Sequence, residues 1–203
     1  MRPAEPGQRA LLDAGLRLLA TTDVPRLSVN AVVAAAGMAK GSFYQHWRSR
    51  HAYLVTLHRA FHDRLARAVE AATAPLPPGR DRLATGIAAY LDGCLADPAT
   101  KALLVQARTD ADLGPEVGAR NRAFTAVAVA DLAALGWRPA EPVATLLVAA
   151  VAETALHELA AGEQLDALRG AVLRLAAREP HEADADAGAA GAAGPGQGPR
   201  AGS

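Results

Sequence analysis

The chain has 203 residues, 51% of them hydrophobic and 21% charged, with 21 basic against 21 acidic side chains. That neutral balance excludes a partner selected by bulk charge, and a single cysteine, Cys94, excludes an intramolecular disulfide. The length suffices for one sizeable core, or for a small module on a larger one. Charge is unevenly placed. Residues 1–60 hold eight Arg or Lys against three Asp or Glu, and residues 61–203 hold thirteen against eighteen. A head of net +5 on a body of net −5 points the head toward something anionic, the plain alternative being an uneven scatter of surface charge.

Alternating strand patterns are nearly absent, and apolar residues recur at helical spacing, so the chain reads as all-α. The first helix is expected over residues 8–20, with Leu12, Leu16 and Leu19 on one face. "TTDVPR" breaks it at Pro25. Ser28 is the expected N-cap of a short helix over 29–36, Gly37 supplies a tight or left-handed turn, and a second short helix covers 39–45. A long helix over 51–72 turns Leu54, Leu57, Phe61, Leu65 and Ala68 or Val69 to one side. Further helices are expected over 82–95 (Leu83, Ile87, Tyr90, Leu91 and Cys94 inward), 99–108, 116–135 (Val117, Phe124, Val127 and Leu135 apolar), 143–161 and 165–177 (Leu165, Leu168, Val172, Leu175). From Pro180 the chain reads "PHEADADAGAAGAAGPGQGPRAGS", which has too little apolar surface to order itself, and residues 179–203 are expected to be a disordered tail. Cys94 reads as a small buried apolar side chain. The longest apolar run, "VATLLVAAVAE", is short for a membrane span, and the N-terminus has no continuous apolar stretch. A soluble cytoplasmic protein with no membrane partner is the expectation.

The segment "GMAKGSFYQHW", residues 37–47, stands apart from its Ala-, Leu- and Arg-rich surroundings. Two short helices joined by a glycine turn describe a helix-turn-helix. Val29, Val32 and Val33 pack against Phe43 and Leu54, with Leu16 and Leu19 closing a small core. Lys40, Ser42, Tyr44 and Gln45 are then left facing outward or at the margin, as a helix reading base edges in a major groove requires. Gly41 costs helix stability unless it clears space for the DNA backbone or a neighbouring helix. Periodicity and charge alone leave DNA reading and a purely structural corner equally open.

The run "SVNAVVAAAGMAKGSFYQHWRSRHAYL", residues 28–54, resembles the N-terminal signature of the TetR family of bacterial transcriptional repressors. Ser28 fills the place of the Thr or Ser that opens the family's second helix, and Ala36-Gly37 match the pair before the turn. Lys40-Gly41-Ser42-Phe43-Tyr44 followed by His46-Trp47 match the aromatic-rich end, and Ser49-Arg50 stand for the Ser-Lys that begins the fourth helix. The resemblance extends over about fifty residues, from Leu11 to Phe61. Three positions depart from the pattern: Ala39 where the family often has a capping Ser (worth about 1 kcal/mol), His51 in place of an acidic residue, and Ala31 in place of another. The resemblance implies a three-helix DNA-binding head over 1–50, a linking helix over 51–72, and a ligand-binding and dimerisation body over 73–178. It implies that Tyr44 and Arg50 contact phosphates of double-stranded DNA, with His46 behind them. Lys40, Ser42 and Gln45 are the choices for base-edge or near-groove contacts, and Arg26 and Arg48 are phosphate neighbours by charge. Trp47 reads as core.

The resemblance further implies a homodimer on a palindromic operator, repressing until an unidentified small-molecule effector binds. Polar residues set in the apolar helices of the body are Tyr90, Gln106, Arg108, Asn121, Arg122, Glu153, Thr154 and His157, and none is singled out as a ligand contact. Glu153 and His157, four apart, read as a surface or interface pair. No cofactor or enzyme is expected: "HELAA" lacks the second histidine of a zinc helix, and the late glycine run follows no strand and precedes no helix. The alternative function is a helical protein-interaction module that no longer binds DNA.

Overall fold

The computed structural model describes residues 6–97, 99–109 and 113–177, and of residues 107–109 the backbone alone. The expected tail and the Arg108 side chain therefore lie outside the described residues. Nine α-helices are present among the described residues: α1 (Pro6–Leu19), α2 (Val29–Ala35), α3 (Lys40–His46), α4 (Arg50–Thr73), α5 (Arg80–Ala96), α6 (Thr100–Thr109), α7 (Gly114–Ala134), α8 (Ala140–Ala161) and α9 (Asp166–Ala177). A single 3-10 turn, Val24–Arg26, joins α1 to α2. Three of the helices that begin earlier than their apolar spacing suggests, α1, α7 and α8, do so for one reason. Pro6, Pro115 and Pro142 all sit in first turns, where a missing N–H leaves no helical bond unmade, so proline opens these helices instead of preceding them.

Ser28 and Ser49 cap α2 and α4, accepting hydrogen bonds from the backbone N–H of Ala31 and Ala52, each at 3.1 Å. Gly37 turns the chain between α2 and α3 at φ +65°, a conformation that a side chain would strain. α1 lies across α2, α3 and α4, and α4 continues out of this small assembly to pack along α5. Gly15 makes the crossing of α1 and α4 possible. A β-carbon there would stand 1.9 Å from the Tyr53 hydroxyl, which donates to the Leu11 carbonyl at 2.8 Å. α7 and α8 form the most extensively packed pair, with α5 and α9 against α8.

One continuous set of buried residues runs from Leu11 through Phe43, Trp47, Leu57, Leu65, Leu91 and Leu132 to Ala176. The inward faces expected for α4 and α5 are all buried, and so is Cys94. α9 is rotated from expectation. It buries Val172 and Ala176, leaving Leu175 64% exposed and Leu168 at the surface. Val127 of α7 is likewise exposed. α8 has 22 residues and is long and apolar enough to cross a bilayer by length and composition alone, but 33% of its most apolar stretch is buried within the fold.

Two buried carboxylates tie the body together. Glu158 on α8 is fully buried and accepts from the Leu165 N–H at 2.9 Å and from Arg169 Nε and Nη2 at 2.6 and 2.8 Å. Arg169 also donates to Asp92 of α5 at 2.6 Å, so one guanidinium joins three helices. Asp131 of α7 accepts from the Gly79 N–H at 2.9 Å and from Arg82 Nε at 2.7 Å, holding the start of α5.

Candidate nucleic-acid interface

α3 is anchored by its aromatic residues. The Phe43 ring lies 5.4 Å from Trp47 and 5.1 Å from Tyr53, and Trp47 meets Tyr53 edge-on at 4.9 Å. All three are buried. The Trp47 indole donates to Thr56 Oγ1 at 2.8 Å, so its polar edge is satisfied inside the seam between α3 and α4. Edge-to-face packing of this kind fixes the rotation of a seven-residue helix that could not hold itself in isolation. Tyr53, absent from the inward ladder expected of α4, closes the cluster. Its signal was its place one turn of helix after Ser49-Arg50, before the apolar ladder of α4.

With that face fixed, the opposite one is determined. Lys40, Gly41 and Gln45 are exposed, Tyr44 is 50% exposed, and Ser42 is half-buried at the margin. Gly41 has no neighbour within 4 Å of the position of a β-carbon, so no adjacent helix calls for its missing side chain. His46 is half-buried beside Trp47, ring centroids 5.5 Å apart. Arg48 is exposed between α3 and α4, and Arg26 is exposed in the 3-10 turn. Arg50 is half-buried. Its Nε donates to the Leu27 carbonyl at 2.7 Å and its Nη2 to the Val24 carbonyl, which uses two of the five N–H donors of a guanidinium. It clasps the start of α4 to the turn that carries Arg26. α3 has an extended N-cap, Ala39, with no side-chain cap bond.

In the body, Tyr90 lines a small apolar cavity of about 80 Å³ with Phe124, Val127 and Leu147. Thr154 is buried with its hydroxyl on the Ala150 carbonyl at 2.9 Å. Glu153 and His157 approach to 3.6 Å on an exposed face of α8, and Asn121 and Arg122 are exposed. A larger cleft of about 690 Å³ opens between α4 and α7, lined by His58, His62, Arg120 and Phe124. Neither histidine was singled out from the sequence, because each interrupts an apolar ladder without breaking its period. Among the described residues no group of three or more His, Cys, Asp or Glu is placed to hold a metal ion.

Residues 11–54 match the model of the family described as bacterial regulatory proteins, tetR family. No curated protein sequence matches the chain significantly. Among solved structures, a TetR-like transcriptional regulator from Rhodococcus sp. RHA1 is similar with a TM-score of 0.69 at 22% identity, over 87% of this chain and 96% of that one. The fatty acid degradation regulator FadR from Bacillus halodurans is similar with a TM-score of 0.73 at 14% identity, over 87% and 97%. The reduced form of NemR from E. coli gives 0.67 at 18% identity, over 87% and 99%. These likenesses show a shared fold along nearly the whole of each relative. The chain thus matches the tetR family model over residues 11–54, and its helical body shares the fold of these regulators.

Proposed function

We propose that the chain is a ligand-responsive repressor that binds a palindromic operator as a homodimer in the cytoplasm, with residues 1–50 as the DNA-reading head and 73–178 as the ligand-binding and dimerisation body. The observation that carries this reading is the outer face of α3. A glycine within a helix weakens it relative to alanine, and Gly41 is not compensated by close packing inside the protein. Clearance for an external body gives it a purpose, and Lys40, Ser42, Tyr44 and Gln45 around it supply donors and acceptors suited to a major groove. Arg26, Arg48, His46 and the remaining donors of Arg50 stand beside that face as phosphate contacts. For the dimer, the support is the exposed apolar side chains that α8 and α9 each carry, Leu146 at 72% and Leu175 at 64% exposure. Two such heads related by a two-fold axis would read half-sites about one helical turn apart, or a multiple of it.

The test is Gly41→Ala. Removing the glycine stabilises the fold by up to about 1 kcal/mol, while the added methyl weakens binding to the DNA flanking the gene at least tenfold in a fluorescence-anisotropy titration. Tyr44→Ala serves as the second variant. Tight DNA binding by a stabilised Gly41→Ala protein removes the α3 face from the reading. A wild-type protein that binds no duplex in the flanking DNA leaves the helical interaction module in its place.

A further inference from the structure

The cleft between α4 and α7 has an inner wall of unusual composition. His58 and His62 lie one turn apart on α4, their ring centroids 4.4 Å apart, and both are more than nine-tenths buried. Across from them Arg120 of α7 donates through Nη1 to His62 Nε2. A guanidinium can only donate, so His62 Nε2 accepts and the ring proton sits on Nδ1. That Nδ1–H is buried with no hydrogen-bond partner, and so is His58 Nε2. Buried polar atoms without partners are rare in folded proteins, and two on one wall of one cleft mark a place built for something further.

Charge says what kind of thing. Among the described residues no carboxylate pairs with Arg120. The nearest by sequence, Glu116, is held by both arms of Arg59. Asp131 is taken by Arg82 and the Gly79 N–H. Asp63 and Glu70, which also line the cleft, are exposed. Burial pulls the Arg120 pKa down, the signature of a cation lacking a counter-ion. Burial, and then the Arg120 charge, hold His58 at a pKa of about 4 and His62 far below the usual imidazole range, so both rings are neutral at neutral pH. Of the three guanidiniums that line the cleft, Arg59 and Arg82 are held by Glu116 and Asp131, which leaves Arg120 as the one without a carboxylate, beside the buried Nδ1–H of His62, with Val69, Phe124 and Val127 also in the lining.

We infer that this cleft takes an apolar monocarboxylate, its head group on Arg120 and the free edge of His62 and its body against Phe124, Val69 and Val127. A single negative charge matches the single guanidinium of the cleft that has no carboxylate partner. A dianionic phosphate would bring one charge too many into a buried site, and a neutral or cationic ligand would leave Arg120 uncompensated. The volume of about 690 Å³ is ample for a carboxylate with an aromatic or medium-length aliphatic body. This assigns a chemical class to the effector of the proposed function, and it rests on that reading only for its regulatory consequence.

The experiment uses the full chain without DNA. Decanoate, 4-phenylbutyrate and 1-naphthoate are titrated calorimetrically, each beside its own primary amide. At least one acid is expected to bind ten times or more tighter than its amide. Arg120→Met abolishes that difference, while Arg120→Lys, which keeps the charge, retains part of it. Acids and amides binding alike, no binding by any probe, or an acid preference that survives Arg120→Met would each overturn the assignment. Should Arg120→Met fail to fold, the wild-type comparison and the Arg120→Lys protein decide the matter. The preferred acid is then added to the protein–DNA complex as a separate measurement. An acid that binds the protein without changing its affinity for DNA removes the effector role and leaves the carboxylate site standing.

Discussion

Glu158 shows how much one side chain can do in a helical body. It is fully buried, and burial by itself would raise its pKa. The hydrogen bonds from Arg169 and from the Leu165 N–H outweigh that, and the carboxyl ends below its ordinary value. A group whose folded-state pKa is depressed contributes stability above its unfolded value near 4.3, and loses that contribution as pH falls through the folded value. Glu158→Gln is therefore expected to destabilise the protein by about 3 kcal/mol at neutral pH, because Arg169 is left without its buried partner. The same variant should lose less stability than wild type between pH 5 and the acid limit. Urea unfolding midpoints at a series of pH values measure both effects, and parallel acid limbs would contradict the assignment. In the sequence, Glu158 was one more charge near the end of an apolar helix. Its partner is eleven residues on, across a turn whose geometry spacing does not disclose.

At the scale of elements, α3 is the informative case. It was legible to within one residue, 39–45 expected against Lys40–His46, because a glycine turn, a short span and a cluster of aromatics leave few alternatives, and the same features fixed which residues face inward. Its start is weak. Ala39 occupies the N-cap with extended backbone and offers no side-chain acceptor. Ala39→Ser restores one and is expected to raise stability by about 1 kcal/mol, read from the unfolding midpoint. No gain would mean that the first turn of α3 is already satisfied by its backbone bond from Ser42 N to Ala39 O at 3.0 Å. α9 shows the opposite case. Alanine-rich helices have poorly marked faces, so Leu168 and Leu175 read as core although the helix turns Val172 and Ala176 inward. The clasp between Arg169 and Glu158 helps to fix that rotation, and a hydrophobic period contains no trace of it.

At the scale of the molecule, the exposed leucines of α8 and α9, Leu146, Leu168 and Leu175, bear on assembly. Leu146→Glu puts a charge on the most exposed large apolar residue of α8 and is expected to shift the protein from dimer to monomer in sedimentation velocity, with little change in helix content. A wild-type protein that sediments as a monomer at micromolar concentration would place the dimer elsewhere or remove it. The buried core is continuous from α1 to α9 through α4, so the boundary drawn near residue 50 separates roles in the proposed function without separating two cores.

By itself the sequence determined the all-α class, the order of the helices, the inward ladders of α4 and α5, and the likeness of residues 28–54 to a known signature. Each of these rests on local information: the period of apolar residues, proline and glycine punctuation, and a motif confined to one stretch of chain. Only the tertiary structure decided that Arg50 grips the turn before α2, that no helix crowds Gly41, and that Glu158, Arg169 and Asp92 meet. It alone brought Arg120 against His58 and His62. Those are encounters between residues up to 77 positions apart, and charge pairing and desolvation depend on distance in space, which helix spacing along the chain does not encode.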